Sequence, residues 1–417
     1  MNELIEALKE VNNFQNLNEN NIINEIEKRF KENFLSKNTL TSINFIEFRK
    51  WKNHELNIDH KFSAEEYTLL HIAIKVCCEK VLELLIAKKA NINIQDANGY
   101  TPLYLAIENG YIDIATFLIN VGAKVNIECG HSKSTALHLA AKKGHQSIIT
   151  HLLEKRSNPN ALNRYGQIPL HFAAKYNNTD SAVLLILNGA NVNIQDYKNR
   201  YTPLYFAILK NNVKLANILL ESGTDIDIQD RCKRNLLHFT IKEKKWEIVE
   251  IFLKQKVNVN AQDEGGCAPL HYAVYLKNLH TVTNLLKYEA KINIQDKNGQ
   301  TALNYAWSDV DKSPELVKLL LNYGADFSYI HKPKAQEVGI ISSYLAAVVT
   351  TILIWTTQNF LPKVITSVEI GIMITSFTFI VGVIAYGIAY KISKYEVNSK
   401  LSEVNITPHS TKHQLSV

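Results

Sequence analysis

A six-residue phrase built around leucine returns at a nearly fixed interval, and this leaves the chain few ways to fold. It reads Thr101-Pro102-Leu103-Tyr104-Leu105-Ala106, then Thr135-Ala136-Leu137-His138-Leu139-Ala140 and Ile168-Pro169-Leu170-His171-Phe172-Ala173. It continues as Thr202-Pro203-Leu204-Tyr205-Phe206-Ala207, Ala268-Pro269-Leu270-His271-Tyr272-Ala273 and Thr301-Ala302-Leu303-Asn304-Tyr305-Ala306. Looser copies start at Thr68 and Asn235. The eight leucines fall at 70, 103, 137, 170, 204, 237, 270 and 303, in steps of 33 or 34. A period of this length marks a stacked array in which each unit contacts only its neighbours.

Each unit carries its own start and stop signals. Thr before the leucine serves as an N-cap, and Pro at the first helical position has the right φ and no N–H to leave unpaired. Leu and Ala then face the next helix. A second helix follows, with leucine pairs such as Leu84-Leu85, Leu152-Leu153 and Leu285-Leu286. Gly122, Gly189, Gly223 and Gly324 end that helix, while Lys89, Arg156, Lys256 and Glu289 stand where glycine is expected. Asn-Ile-Gln-Asp then leads into a hairpin loop with Gly99, Gly166 or Gly299 at the turn. The loops at Cys129-Gly130-His131 and Arg231-Cys232-Lys233-Arg234 lack the Asp-x-x-Gly pattern.

With its period and its Thr-Pro-Leu-His-x-Ala phrase, the chain resembles the ankyrin-repeat family over roughly residues 63–330. The resemblance implies an all-α solenoid of about eight helix-turn-helix repeats joined by hairpin loops. It also implies that His71, His138, His171, His238 and His271 are structural, each hydrogen-bonding near its own loop. Histidines in register on stacked helices, roughly 8–10 Å apart, cannot share one metal ion.

Residues 1–62 read as helical and carry no clean copy. Ile22, Ile26, Phe30 and Phe34 line one helix face, and Ile43, Ile46 and Trp51 suggest a second helix. Leu56-Asn57-Ile58-Asp59 echoes the later Asn91-Ile92-Asn93-Ile94-Gln95-Asp96. The segment reads as a degenerate capping repeat or as a small separate domain. The five cysteines show no recurring spacing and no CxxC pair, which suits reduced thiols and disfavours zinc. The abundant Asn, Ile and Lys read as a mark of an AT-rich genome. Met1–Glu10 has no long apolar run and does not read as a secretory signal.

After a linker at 331–337 the composition changes. No charged residue occurs from Val338 to Leu361, nor in the 21 residues from Ile370 to Tyr390. Runs near 20 residues span a bilayer as helices, so residues 338–392 read as a two-helix transmembrane hairpin. Two buried helices of a soluble domain are the other reading. Gly371, Thr375, Thr378, Gly382, Ala385 and Ala389 form a small-residue stripe that suits close helix packing, within the hairpin or between two copies. Lys332 and Lys334 precede the first run, and Lys391, Lys394 and Lys400 follow the second. That asymmetry places the repeats and both termini on the cytoplasmic side of an integral membrane protein. The tail at 393–417 is polar and reads as disordered.

No serine elbow, P-loop or HExxH motif stands in a recognisable context, so an enzyme is not expected, nor a cofactor or small-molecule substrate. A net charge of +6 over 417 residues is too mild to indicate specific nucleic-acid binding. A basic strip emerges from the repeat alignment. Lys142, Lys175, Lys242 and Tyr275 lie five residues after a motif leucine; Lys143, Tyr176 and Lys210 lie six after. Arg200, Lys233 and Arg234 lie in the loops. In ankyrin arrays these places border the concave face and hairpin tips, which implies a protein partner with an acidic surface. A solvated lysine-rich face and anionic lipid headgroups compete with that reading. The expected function is a membrane-anchored scaffold for protein–protein interaction; a regulatory subunit of an oligomeric channel or transporter is the alternative. The array, apolar hairpin and composition together resemble ankyrin proteins of obligate intracellular bacteria, which implies an effector acting on host proteins.

Overall fold

The computed structural model describes residues 2–36, 43–308 and 313–330, and all its regular elements there are helical. The chain divides into two compact units, Met1–Arg231 and Cys232–Val417. The division falls within the Arg231–Arg234 loop that departs from the repeat pattern.

Three helices come first: α1 (Asn2–Asn12), α2 (Ile22–Ser36) and α3 (Ile43–Asn53). The first unit continues with five inner–outer pairs, and part of the repeat logic is already visible in their lengths. The pairs are α4 (Leu69–Lys75) with α5 (Glu79–Ala87), and α6 (Pro102–Asn109) with α7 (Ile112–Asn120). Next come α8 (Ala136–Lys143) with α9 (Gln146–Glu154), and α10 (Pro169–Lys175) with α11 (Thr179–Leu187). A fifth pair, α12 (Pro203–Leu209) with α13 (Val213–Glu221), closes the unit. The second unit holds α14 (Leu236–Lys242) with α15 (Trp246–Lys254) and α16 (Pro269–Tyr275) with α17 (Leu279–Lys287). It ends in α18 (Ala302–Trp307) with α19 (Pro314–Asn322), before a 3-10 turn at Phe327–Tyr329. Among the described residues no helix is long and apolar enough to cross a membrane. The linker at 331–337, the hairpin at 338–392 and the tail at 393–417 lie outside those residues.

The motif leucines are the core: Leu70, Leu103, Leu137, Leu170, Leu204, Leu237, Leu270 and Leu303 are all buried. Three hydrogen-bonded seams join successive repeats. The first runs through the hairpin tips, where backbone amides bond the preceding tip: Ala97 N to Glu65 O at 2.9 Å, Arg164 N to Ser132 O at 2.8 Å, Tyr197 N to Tyr165 O at 2.9 Å. Glu264 N to Cys232 O at 2.8 Å and Lys297 N to Gly265 O at 2.9 Å do the same in the second unit. Tips so close need glycine; a Cβ on Gly166, at φ +72°, would lie 2.5 Å from the Tyr197 ring.

The second seam is asparagine. The side-chain oxygens of Asn93, Asn126, Asn160 and Asn193 accept from backbone amides of Lys124, Asn158, Asn191 and Asp225, at 2.7–3.0 Å. Asn260 and Asn293 do so to Lys291 and Asp326. At least part of the asparagine abundance is therefore structural. Asp59 holds the same place ahead of Asn91, at 2.9 Å, so the loop after α3 behaves as a repeat loop. Before it, Trp51 is fully buried and its indole N–H donates to Asn57 O at 2.9 Å. Helix α1, which the sequence reading did not single out, packs on α2 and α5 through Leu4, Ala7, Leu8 and Val11.

The third seam is the histidine row, in which each ring caps its own helix and also reaches the next loop. In four repeats Nδ1 accepts the N-cap amide of its own helix: Thr68 to His71 at 3.2 Å, Thr135 to His138 at 3.1 Å, Ile168 to His171 at 3.1 Å and Ala268 to His271 at 3.0 Å. Nε2 therefore carries the proton and donates forward to the next loop, to Tyr100 O, Gln167 O, Tyr201 O and Gln300 O at 2.9–3.2 Å. The ring substitutes for the side-chain cap that Ile168 and Ala268 cannot supply. In the last repeat Asn304 does the same with an amide: Oδ1 accepts from Thr301 N at 2.9 Å and Nδ2 donates to Tyr329 O at 3.3 Å.

Comparing repeats exposes one unmet bond. Tyr272 and Tyr305 donate their hydroxyls to Asp263 and Asp296, nine residues earlier, at 2.6 and 2.9 Å, and their rings meet His238 and His271 edge-on. Asp96 Oδ2 is buried without a partner, and Leu105 holds the tyrosine's place. Leu105→Tyr is expected to stabilise the protein by about 1–2 kcal/mol, by satisfying that oxygen and adding an aromatic pair. A urea midpoint equal to or below wild type would count against it.

Candidate functional site

The inner helices end beside the hairpin tips, and in the first unit this arrangement makes a groove. A cavity of about 350 Å³ lies between the ends of α8 and α10 and the tips at 132–134, 165–167 and 196–198. Lys142, Lys175 and Lys198 line it together with Tyr104, Tyr165 and Phe172. Lys142 and Lys175 each stand in the last turn of an inner helix, at its carbonyl end, where cations are favoured. Their ammonium groups lie 5.6 and 6.0 Å from the Tyr176 ring centroid. Tyr165 and Tyr176 are about half exposed, at 53% and 45%. Among the described residues none of the three lysines has a carboxylate within ion-pair distance. The one acid in the wall, Asp196, is held in place: Oδ1 accepts from Asn199 N and Tyr201 N, and Oδ2 from Gln167 Nε2 at 3.3 Å.

The structure distributes the sequence-derived residues unevenly. Lys142, Lys175 and Tyr176 come together at the groove. Lys143 does not join them. It reaches back to the preceding repeat, 3.4 Å from the Glu108 carboxylate and 3.0 Å from Glu108 O at the end of α6. Arg200 is folded onto its own loop, donating to Gln195 Oε1 at 2.9 and 3.2 Å. Lys210 is exposed at the end of α12. In the second unit Lys233, Lys242 and Tyr275 are exposed, Tyr275 at 71%. Arg234, expected at an exposed tip, is only 8% exposed, with its guanidinium 5.7 Å from the Phe239 ring. Stacking on an aromatic face withdraws it from any partner. Lys198, Tyr165, Tyr104 and Phe172 were not anticipated. A signal existed: the tip position is aspartate at 96, 196, 230, 263 and 296, yet neutral at Cys129 and Asn163, in two of the three tips that border the groove.

The buried groups are tuned for structure. Burial holds His71 and His271 below the ordinary imidazole range and brings His138 and His171 to about 4, so these rings are neutral near pH 7. Burial also pushes the Cys78 thiol up to about 11. Among the described residues no group of three or more His, Cys, Asp or Glu side chains could hold a metal ion.

The family model described as ankyrin repeats in three copies matches residues 37–129, 137–230, 204–296 and 237–330. The chain belongs to the ankyrin-repeat family. Over 145 residues it is 31% identical to neurogenic locus notch homolog protein 1 of Danio rerio, which is 35% of this chain and 6% of that protein. Over 138 residues it is 33% identical to alpha-latrotoxin-Lg1a of Latrodectus geometricus, 32% of this chain and 10% of that protein. The ankyrin chain thus spans a tenth or less of these relatives. The solved ankyrin repeat domain of Bcl-3 aligns at 26% identity and a TM-score of 0.49, covering 54% of this chain and 99% of that one. For the ankyrin repeat domain of human ASB11 the values are 23% and 0.47, with the same coverage. Ankyrin repeats imply a scaffold for protein–protein interaction.

Proposed function

We propose that the chain is a membrane-anchored scaffold whose ankyrin array recruits an acidic protein to the cytoplasmic face of a bilayer. The observation that carries the anchor is the pair of uncharged runs, Val338–Leu361 and Ile370–Tyr390, each long enough to span. Lysines outside both runs, Lys332, Lys334, Lys391 and Lys394, favour a hairpin with both ends on the cytoplasmic side. Anchoring holds the array close to anything on the same membrane, which raises effective concentration without new contacts. The unpaired lysines of the groove favour acidic partners and faster encounter. The resemblance to ankyrin proteins of obligate intracellular bacteria extends the proposal to a host protein as the partner.

Carbonate extraction tests the anchor. Full-length protein is expected in the membrane pellet, and a variant lacking 338–392 in the supernatant. Cys77 and Cys232, both exposed, report the side. An impermeant maleimide is expected to label them only after the cells are permeabilised. Full-length protein in the supernatant would remove the anchor from the proposal; labelling of intact cells would reverse its topology.

A further inference from the structure

The geometry points to an extended acidic peptide, with carboxylates every third residue, as the occupant of the groove lined by Lys142, Lys175 and Lys198. This rests on the scaffold reading above and deepens it by naming the recognised chemistry.

The charge of the groove is specific to these repeats. Two of its three bordering tips carry Cys129 and Asn163 where five others carry aspartate, so a single carboxylate, Asp196, stands in the wall against three lysines. Asp196 is held by its own loop and by Gln167, and its one charge leaves the groove net positive. Lys142 is only half-buried and Lys175 exposed, so both ammonium groups can reach an anion. The walls are aromatic: Phe172 stacks with Tyr176 at 6.5 Å, and its ring meets His138 edge-on at 5.5 Å. Rigid rings flanking cations suit a narrow, extended chain better than a flat bilayer, which cannot enter the recess.

Spacing selects the conformation. Lys142 and Lys175 hold the same place on inner helices of adjacent repeats, so they stand one helix-packing distance apart, roughly 8–10 Å. A β-strand presents same-face side chains every second residue, about 6.6 Å apart, which falls short. A polyproline II chain presents them every third residue, about 9.3 Å apart, which fits one repeat step. Such a chain is already extended in the free state, so little ordering entropy opposes binding.

Fluorescence anisotropy on the full-length protein in detergent micelles tests this. The probe is a labelled peptide of four Glu-Pro-Pro units; the control has the same composition with its four glutamates consecutive. The spaced peptide is expected to bind at least about tenfold more tightly, and Lys142→Glu and Lys175→Glu each to weaken it by about tenfold. Lys297→Glu, at a tip of the second unit, is expected to leave it unchanged. Lys142→Gln serves where the reversal shifts the melting curve. Equal affinity for both peptides, or indifference to both reversals, overturns the proposal. So does binding of anionic-lipid vesicles through these lysines with no peptide binding. A protein partner whose capture needs the array but ignores Lys142→Glu and Lys175→Glu would sink the groove and spare the scaffold. No array-dependent partner at all would sink the scaffold.

Discussion

Acidification from pH 7 to 4 is expected to remove roughly 6 kcal/mol of stability from the Met1–Arg231 unit through two side chains alone. His138 and His171 are held at about 4 by burial, against about 6.5 in an unfolded chain. Above pH 6.5 both states are neutral and the contribution is complete. As pH falls from 6.5 toward 4, the unfolded chain takes up protons that the folded chain refuses, and stability declines. A depressed pKa of this size is worth about 3 kcal/mol per ring. His71, lowered by the same cause, adds to the loss. The chain supplies its own control, because Asn304 makes both histidine bonds with an amide that does not titrate. Urea unfolding of wild type and of His138→Asn/His171→Asn, followed by circular dichroism from pH 7 to 4, isolates the effect. The double variant is expected to lose much less stability over that range. Parallel decline of the two proteins would show that these rings are not the cause.

The second large effect is a gain. Four outer helices end in a non-glycine residue with left-handed backbone: Lys89 at φ 65°, Arg156 at 61°, Lys256 at 59° and Glu289 at 64°. Gly122, Gly189, Gly223 and Gly324 hold the same place elsewhere, at φ 85–98°. A side chain there crowds the backbone, and replacing it with glycine should return about 0.5–1 kcal/mol net of the greater freedom of the unfolded chain. All four side chains are exposed, so little packing is lost. The sites lie in separate repeats, so the quadruple glycine variant should gain about 2–4 kcal/mol. It would appear as a higher denaturation midpoint at unchanged slope. A midpoint at or below wild type would mean that these side chains contribute contacts worth more than the strain they impose.

The repeat architecture was legible because its determinants are local and recur: one leucine per period, one cap, one turn. The capping roles were legible for Thr101, which accepts from Tyr104 N at 3.2 Å, but not for Ile168, whose missing hydroxyl is replaced by a ring three residues on. Side-chain direction was harder to see. Lys142 and Lys143 are neighbours in sequence, but a helix turns about 100° per residue, so one faces the groove and the other faces Glu108. Arg234 reads as an exposed tip cation until Phe239, five residues on, is seen under it. The groove itself could not be read directly, since its walls come from three repeats between Tyr104 and Lys198. Only comparison across periods, which shows Cys129 and Asn163 breaking the aspartate row, hints at it. Helix α1 shows its buried face in Leu4, Ala7, Leu8 and Val11 at helical spacing, but it carries no copy of the repeat phrase that would place it in the stack.

The asparagine seam has a further consequence. Each asparagine oxygen receives a main-chain amide, so the donor residue is Lys124, Asn158, Asn191, Asp225 or Lys291 without altering the joint. A coupling that ignores the identity of what it joins lets whole modules be duplicated, lost or exchanged while the column stays sound. Copy number can therefore drift in steps of one module, whereas a recess shaped by three particular neighbours survives only where their order is kept.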